Sequence, residues 1–141
     1  VQQHVDDAVE KGAKVNFGGN SRDGFFFEPT VISDVTDDMI CMTEETFGPL
    51  TPITTFSTEE EAIRRANDSI YGLAAYGYTE NTSRGIRMTE KLEYGIIGLN
   101  DGSPSTPQAP FGGFKQSGLG REGGQHEMDE YLEVKCISLG L

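Results

Sequence analysis

The groups able to do chemistry in this chain are two thiols, two imidazoles and a cluster of carboxylates beside an aromatic ring. Cys41 stands after Asp37 and Asp38 and before Glu44 and Glu45. A nucleophilic thiol needs a base or positive surroundings to ionise, and carboxylates close in space do the opposite. Cys41 is therefore expected to be a small buried residue, and Cys136 likewise. The pair shows no metal-ligand spacing, and two reduced thiols are expected rather than a bridge. His4 and His126 lie in acidic contexts without partner spacing and are expected on the surface. No catalytic residue and no metal site follows from these groups.

Gly118-Leu119-Gly120-Arg121-Glu122-Gly123 has the letters of G-x-G-x-x-G, whose glycines bring a pyrophosphate close to a helix N-terminus. The motif needs a preceding strand, a βαβ context and an acidic residue about 20 positions on. Here it follows the loop-like stretch 112–117 and the chain ends at Leu141, so a phosphate cradle is not expected. Glu44-Glu45-Thr46-Phe47-Gly48-Pro49 is more informative. Glu45 could accept bonds from vicinal hydroxyls such as those of ribose, and Phe47 offers a flat surface to a heteroaromatic ring. A capped turn with a core phenylalanine accounts for the same letters equally well.

The elements that must position these residues read as follows. Val1, Val5, Ala8 and Val9 form one stripe of an amphipathic helix stopped by Gly12. Ala13 to Phe17 and Thr30 to Ile32 are extended runs in a loop-rich first third that would make little core alone. Pro52 to Phe56 is β-prone. Ser57 offers a helix N-cap with Glu60 as its capping-box partner, and Ala62, Ile63, Ala66 and Ile70 share a helical face. Leu73 to Thr79 reads as a strand, Thr82 to Tyr94 as a helix and Ile96 to Asn100 as a third strand. Strand, helix, strand, helix, strand implies an α/β fold with a parallel sheet. Residues 101–108 are loop, and six glycines in 112–124 imply a tightly folded loop. Glu127 to Glu133 reads as a short helix, and Val134 to Leu139 as a terminal edge strand.

Composition narrows the function classes. The length, 141 residues, suits one domain. The formal charge of −12 repels phosphate backbones and anionic lipid, so neither nucleic acid nor membrane is expected as a partner. No run approaches the roughly 18 apolar residues of a membrane span, and Val1 to Lys11 does not form a signal peptide. A cytoplasmic location is the expectation.

Several motifs, in order, carry a resemblance. Gly12-Ala13-Lys14-Val15 with Gly18-Gly19, Glu28-Pro29-Thr30-Val31, Glu44 to Pro49, Ala66-Asn67 with Tyr71-Gly72-Leu73-Ala74-Ala75, and Pro110 to Glu122 together resemble the C-terminal part of the NAD(P)-dependent aldehyde dehydrogenases. The resemblance spans essentially the whole chain and is nearest to the succinate-semialdehyde dehydrogenases. It implies a partial catalytic domain over 1–133 and an oligomerisation strand over 134–141, the arm by which subunits pair into a homo-oligomer. It implies that Glu45 holds the nicotinamide-side ribose of NAD or NADP and that Phe47 packs near the nicotinamide. Phe111 corresponds to a residue lining the aldehyde pocket, and Ser105 to a serine that helps bind the distal carboxylate of the substrate.

The resemblance also implies what is missing. The family's nucleophilic cysteine lies in an upstream Gly-Gln-x-Cys-type stretch, and its general-base glutamate and cofactor domain are upstream too. None of these is in the 141 residues, and neither Cys41 nor Cys136 replaces the nucleophile. The chain alone is expected to lack dehydrogenase activity and, with normally covered surfaces bare, to self-associate. An association module without chemistry, and an enzyme for another aliphatic or hydroxy-aldehyde, are the alternatives. The residues choosing NAD or NADP lie outside the chain.

Overall fold

The computed structural model describes residues 1–140; Leu141, the last residue of the expected terminal strand, lies outside them. The chain divides into two compact units, Val1–Ser57 and Thr58–Leu141, each an α/β arrangement with small sheets.

The first unit opens with α1 (Gln2–Glu10), followed by β1 (Lys14–Phe17), β2 (Thr30–Ser33), the single-turn α2 (Ile40–Thr43) and β3 (Leu50–Pro52). Strand β2 is central, antiparallel to β1 and parallel to β3. Its side chains alternate, with Thr30 and Ile32 buried, as a strand with one face on a core requires. The apolar stripe of α1 supplies Ala8 to a cluster with Ala13, Ile32, Val35, Met39 and Cys41. Ile32 and Met39 are its largest fully enclosed side chains. The first third thus holds a core of its own, contrary to the expectation from its loops. The helix stripe and alternate residues of one strand suffice to build it.

The second unit runs α3 (Glu59–Asn67), β4 (Tyr71–Gly72), β5 (Ala74–Gly77), α4 (Thr82–Lys91), β6 (Ile96–Leu99) and β7 (Phe114–Lys115), then a 3-10 turn over Glu127–Tyr131. Strands β5 and β6 are parallel and joined through α4, the expected β-α-β unit. Asn81 caps α4 by accepting the Arg84 N–H at 2.9 Å. Asn100, with φ of 54°, ties the far end of this unit. Its amide nitrogen donates to Thr79 O and its amide oxygen accepts the Thr79 N–H.

Asn67 closes the other end. Its side chain donates to Lys91 O at 2.8 Å and accepts the Glu93 N–H at 2.9 Å. Its own carbonyl accepts from Lys115 Nζ, which also pairs with Glu93. Gly95 fits here because a Cβ would run into the Gly112 carbonyl. Glu59 at the head of α3 holds Arg87 of α4 through two bonds of 2.7 Å, and that guanidinium keeps the Glu59 carboxyl below its ordinary range.

Several boundaries differ from the sequence expectation. The cap of α3 is Thr58, which accepts the Glu61 N–H at 3.1 Å, one residue after Ser57; Ile70 falls beyond the helix. The strand expected over Pro52 to Phe56 is Leu50–Pro52 and pairs with β2 rather than with the later strands. The run Leu73 to Thr79 holds only β5, Ala74–Gly77, and the separate short strand β4, Tyr71–Gly72, lies just before it with a different partner. Helix α4 stops at Lys91, three residues short of Tyr94, because Asn67 takes up its last turn and the Glu93 N–H. Residues 134–139 form no strand among the described residues and are exposed, Cys136 included, contrary to its expected burial. A strand exists through its pairing, and this segment pairs with no other strand among the described residues.

Replacing Ile32 by alanine should cost about 2–5 kcal/mol by cavity formation in the centre of the first core. The urea midpoint of unfolding checks it, with Val9→Ala at the exposed edge of α1 within about 1 kcal/mol of the parent.

Candidate functional site

The Glu44–Pro49 segment is held from one side by a line of residues along α1. His4, Asp7 or Ala8, and Lys11 recur at three- and four-residue spacing and so share a face. Lys11 Nζ donates to Asp38 O at 2.6 Å and pairs with Asp7 at 2.9 Å. The Asp7 carboxylate accepts the Ile40 N–H at 2.8 Å, filling one of the donors that the first turn of α2 leaves open. That backbone bond, then Lys11, holds the Asp7 carboxyl below its ordinary value, and Asp7 raises Lys11 in return.

One turn earlier, His4 is buried, with 7% of its surface exposed. Its Nδ1 lies 2.8 Å from Thr46 Oγ1 and its Nε2 3.6 Å from Glu44 Oε2. His4 is thus not the surface residue expected. It belongs to the stripe of Val1, Val5 and Ala8, a position that its spacing already marked. Val1 packs where any side chain at residue 48 would have to go, so glycine is required there.

The chain from Glu44 is extended, with φ −105° and ψ 146°, and neighbouring side chains in extended backbone point to opposite sides. Thr46 turns in to His4, while Glu45 and Phe47 are exposed, the Phe47 ring by 93%. The reading of Phe47 as a core residue of a capped turn is therefore not met. The site consists of a carboxylate and a free aromatic face two residues apart on a braced segment.

Cys41, at the other end of α2, is buried as expected. Burial pushes its thiol pKa up, and Asp7 adds to the shift against a backbone hydrogen bond that lowers it. The acidic neighbours in sequence are not the cause; Asp7, distant in sequence, is the carboxylate involved.

In the second unit, Ser105 is exposed in the loop between β6 and Phe111, and no hydrogen bond fixes its hydroxyl among the described residues. That loop is braced by Ser103 N–H on Asp101 at 2.9 Å and by Gly124 N–H on Pro107 O at 3.0 Å. Phe111 exchanges both backbone hydrogen bonds with Glu122, at 2.7 and 2.8 Å, which closes the glycine-rich stretch into a loop. Within it Arg121 donates to the carbonyls of Gly113 and Gly120 and lies 5.6 Å from the Phe114 ring centre. The Gly118 to Gly123 letters fall in this loop, and among the described residues a 3-10 turn rather than an α-helix follows them. Glu45 and Phe47 thus share one segment of the first unit, and Ser105 and Phe111 lie six residues apart in the second.

A β-α-β unit, a closed glycine-rich loop and a braced Glu-Glu-Thr-Phe-Gly-Pro segment define an α/β protein. The chain belongs to the aldehyde dehydrogenase family, whose family model matches residues 1–137. It is 57% identical to the mitochondrial succinate-semialdehyde dehydrogenase of Arabidopsis thaliana, over 99% of this chain and 27% of that one. It is 50% identical to a probable NADP(+) succinate-semialdehyde dehydrogenase of Sinorhizobium fredii, over 99% of this chain and 29% of the relative. The crystal structure of an aldehyde dehydrogenase from Brucella melitensis biovar abortus matches 95% of the chain at 58% identity with a TM-score of 0.92, and the chain covers 28% of it. The chain therefore spans under a third of the length of these relatives. Among the described residues no helix is long and apolar enough to cross a membrane.

Two measurements follow from this geometry. Titration of the native chain with an aromatic disulfide should consume one thiol rapidly, Cys136, and a second, Cys41, only on unfolding. Asp7→Asn should flatten the acid limb of stability. A depressed carboxyl contributes stability above its unfolded value, near 3.8, and loses it as pH falls through the folded value. The urea midpoint of the parent should fall more steeply than that of the variant below about pH 5.

Proposed function

We propose that the chain supplies the C-terminal part of the catalytic domain of an NAD(P)-dependent aldehyde dehydrogenase, an enzyme that oxidises an aldehyde to the carboxylic acid. The substrate proposed is succinate semialdehyde, and the product succinate. Family membership and the names of the relatives support the reaction class, and the exposed Ser105 beside the Phe111 loop fits a polar contact to a distal carboxylate. The observation that carries the proposal is the outward pair Glu45 and Phe47. The bare face of the Phe47 ring offers a surface to a heteroaromatic ring, and a carboxylate two residues away suits the paired hydroxyls of a ribose.

These residues fit NAD or NADP by donor and acceptor chemistry. Glu45 accepts from the ribose hydroxyls, Phe47 packs on the nicotinamide side, and the bound cofactor supplies the hydride acceptor. The role of this chain is to orient the cofactor and to exclude water from one wall of the site. Ser105 and Phe111 do the same for the aldehyde, one by a hydroxyl and one by an apolar face. The nucleophilic cysteine belongs to a stretch outside these residues, so the chain alone is inactive in this account.

The exposed run with Val134, Ile137 and Leu139 free is proposed as the arm that pairs subunits edge to edge. The acidic surface and two free thiols favour an aqueous, reducing compartment, and the cytoplasm is the location proposed.

In the complete enzyme, Glu45→Gln should weaken cofactor binding about tenfold or more, the loss of a charge-assisted bond. The change in fluorescence of the reduced nicotinamide on binding measures it. Unchanged affinity in that variant, or turnover of succinate semialdehyde by the purified 141 residues through their own thiols, contradicts the proposal.

A further inference from the structure

We infer that His4 is a positioning residue for the cofactor wall, acting through Thr46 to fix the outward aim of Glu45 and Phe47. The inference rests on the reading of that pair given above. Three observations carry it. The imidazole is buried although α1 is otherwise solvated on its far side. Both ring nitrogens face the same segment, Nδ1 at 2.8 Å from Thr46 Oγ1 and Nε2 at 3.6 Å from Glu44 Oε2. Thr46 is the residue between Glu45 and Phe47, so the rotation of one peptide unit sets the direction of both.

Nδ1 and the Thr46 hydroxyl share one hydrogen bond, whose donor is set by the tautomer of the ring. That bond favours the rotamer that turns Thr46 inward over those that would turn it outward. The remaining contacts of the segment restrain it less specifically. Glu44 N–H is bonded to Ile40 O and Gly48 N–H to Thr46 O, while among the described residues no hydrogen bond holds the side chain of Glu45 or Phe47. His4 is thus the side-chain anchor of the stretch 44–47, and it lies more than forty residues away in sequence.

The test is made in the complete enzyme. His4→Leu and Thr46→Val should each raise the cofactor KM about fivefold, the loss of one ordinary hydrogen bond, and leave the aldehyde KM unchanged. The double variant should be no worse than either single one, since both remove the same contact. His4→Asn, whose amide can take the place of Nδ1, and Thr46→Ser should restore near-parent values. If Thr46→Val and a folded His4→Leu lower the unfolding midpoint but leave the cofactor KM at the parent value, His4 is a packing residue and the inference fails. Should His4→Leu not fold, Thr46→Val, which keeps the imidazole and nearly the same volume, decides alone. Glu45→Gln run in parallel separates the two levels. A shift in Glu45→Gln without one in Thr46→Val sinks only the role of His4. No shift in either sinks the cofactor reading as well.

Discussion

One helix face governs the first unit. Lys11, Asp7, His4 and Val1 rise along α1 and meet, in turn, Asp38, Ile40, Thr46 and Gly48. Two chain segments running past each other are thereby joined at four successive points. The contacts are polar at three of the four, and each satisfies a group that would otherwise lack a partner, such as the open N–H at the start of α2. The apolar core beneath them, from Ala8 to Cys41, supplies most of the stability. The polar line decides where the segment lies on that core. A hydrophobic contact tolerates sliding, whereas a bond of 2.8 Å with a fixed direction does not.

The second unit uses the same device at a different place. Asn67 joins the end of α3 to the end of α4 and, through its carbonyl, to Lys115 of β7. Phe111 and Glu122 then lock the loop by two backbone bonds, and Arg121 fills the loop from inside. In both units, regular elements are short and side-chain clamps set the loops. Small sheets of two and three strands bury too little to fix long loops by packing alone. Large apolar residues are left exposed, among them Phe47, Tyr76, Tyr78 and Val134.

Much of this was legible in the sequence because it rests on local rules. The stripe of Val1, Val5 and Ala8 announced α1, and Gly12, with φ of 100°, ended it as expected. The β-α-β unit followed from alternating strand and helix patterns. Strand partnership was not legible: Leu50–Pro52 joins β2 of its own unit because residues 30–32 lie beside it in parallel register, a long-range choice that no window of sequence contains. The cap moved from Ser57 to Thr58 because two hydroxyls stand side by side and only the backbone angles select one. The acidic neighbours of His4 in sequence suggest a surface residue, but its place on the apolar stripe of α1 buries it. Glu45 and Phe47 stand out by residue type, but the contact between positions 4 and 46 beside them is visible only in three dimensions.

The account stands on Glu45 and Phe47 forming the wall that meets the cofactor. A crystal structure of the complete enzyme with NAD or NADP bound tests this most directly. The account predicts a Glu45 carboxylate oxygen about 2.5–3.0 Å from a hydroxyl of the nicotinamide-side ribose, with the Phe47 ring against the nicotinamide portion. A cofactor seated elsewhere, with Glu45 and Phe47 left to solvent or packed on another part of the chain, would contradict it.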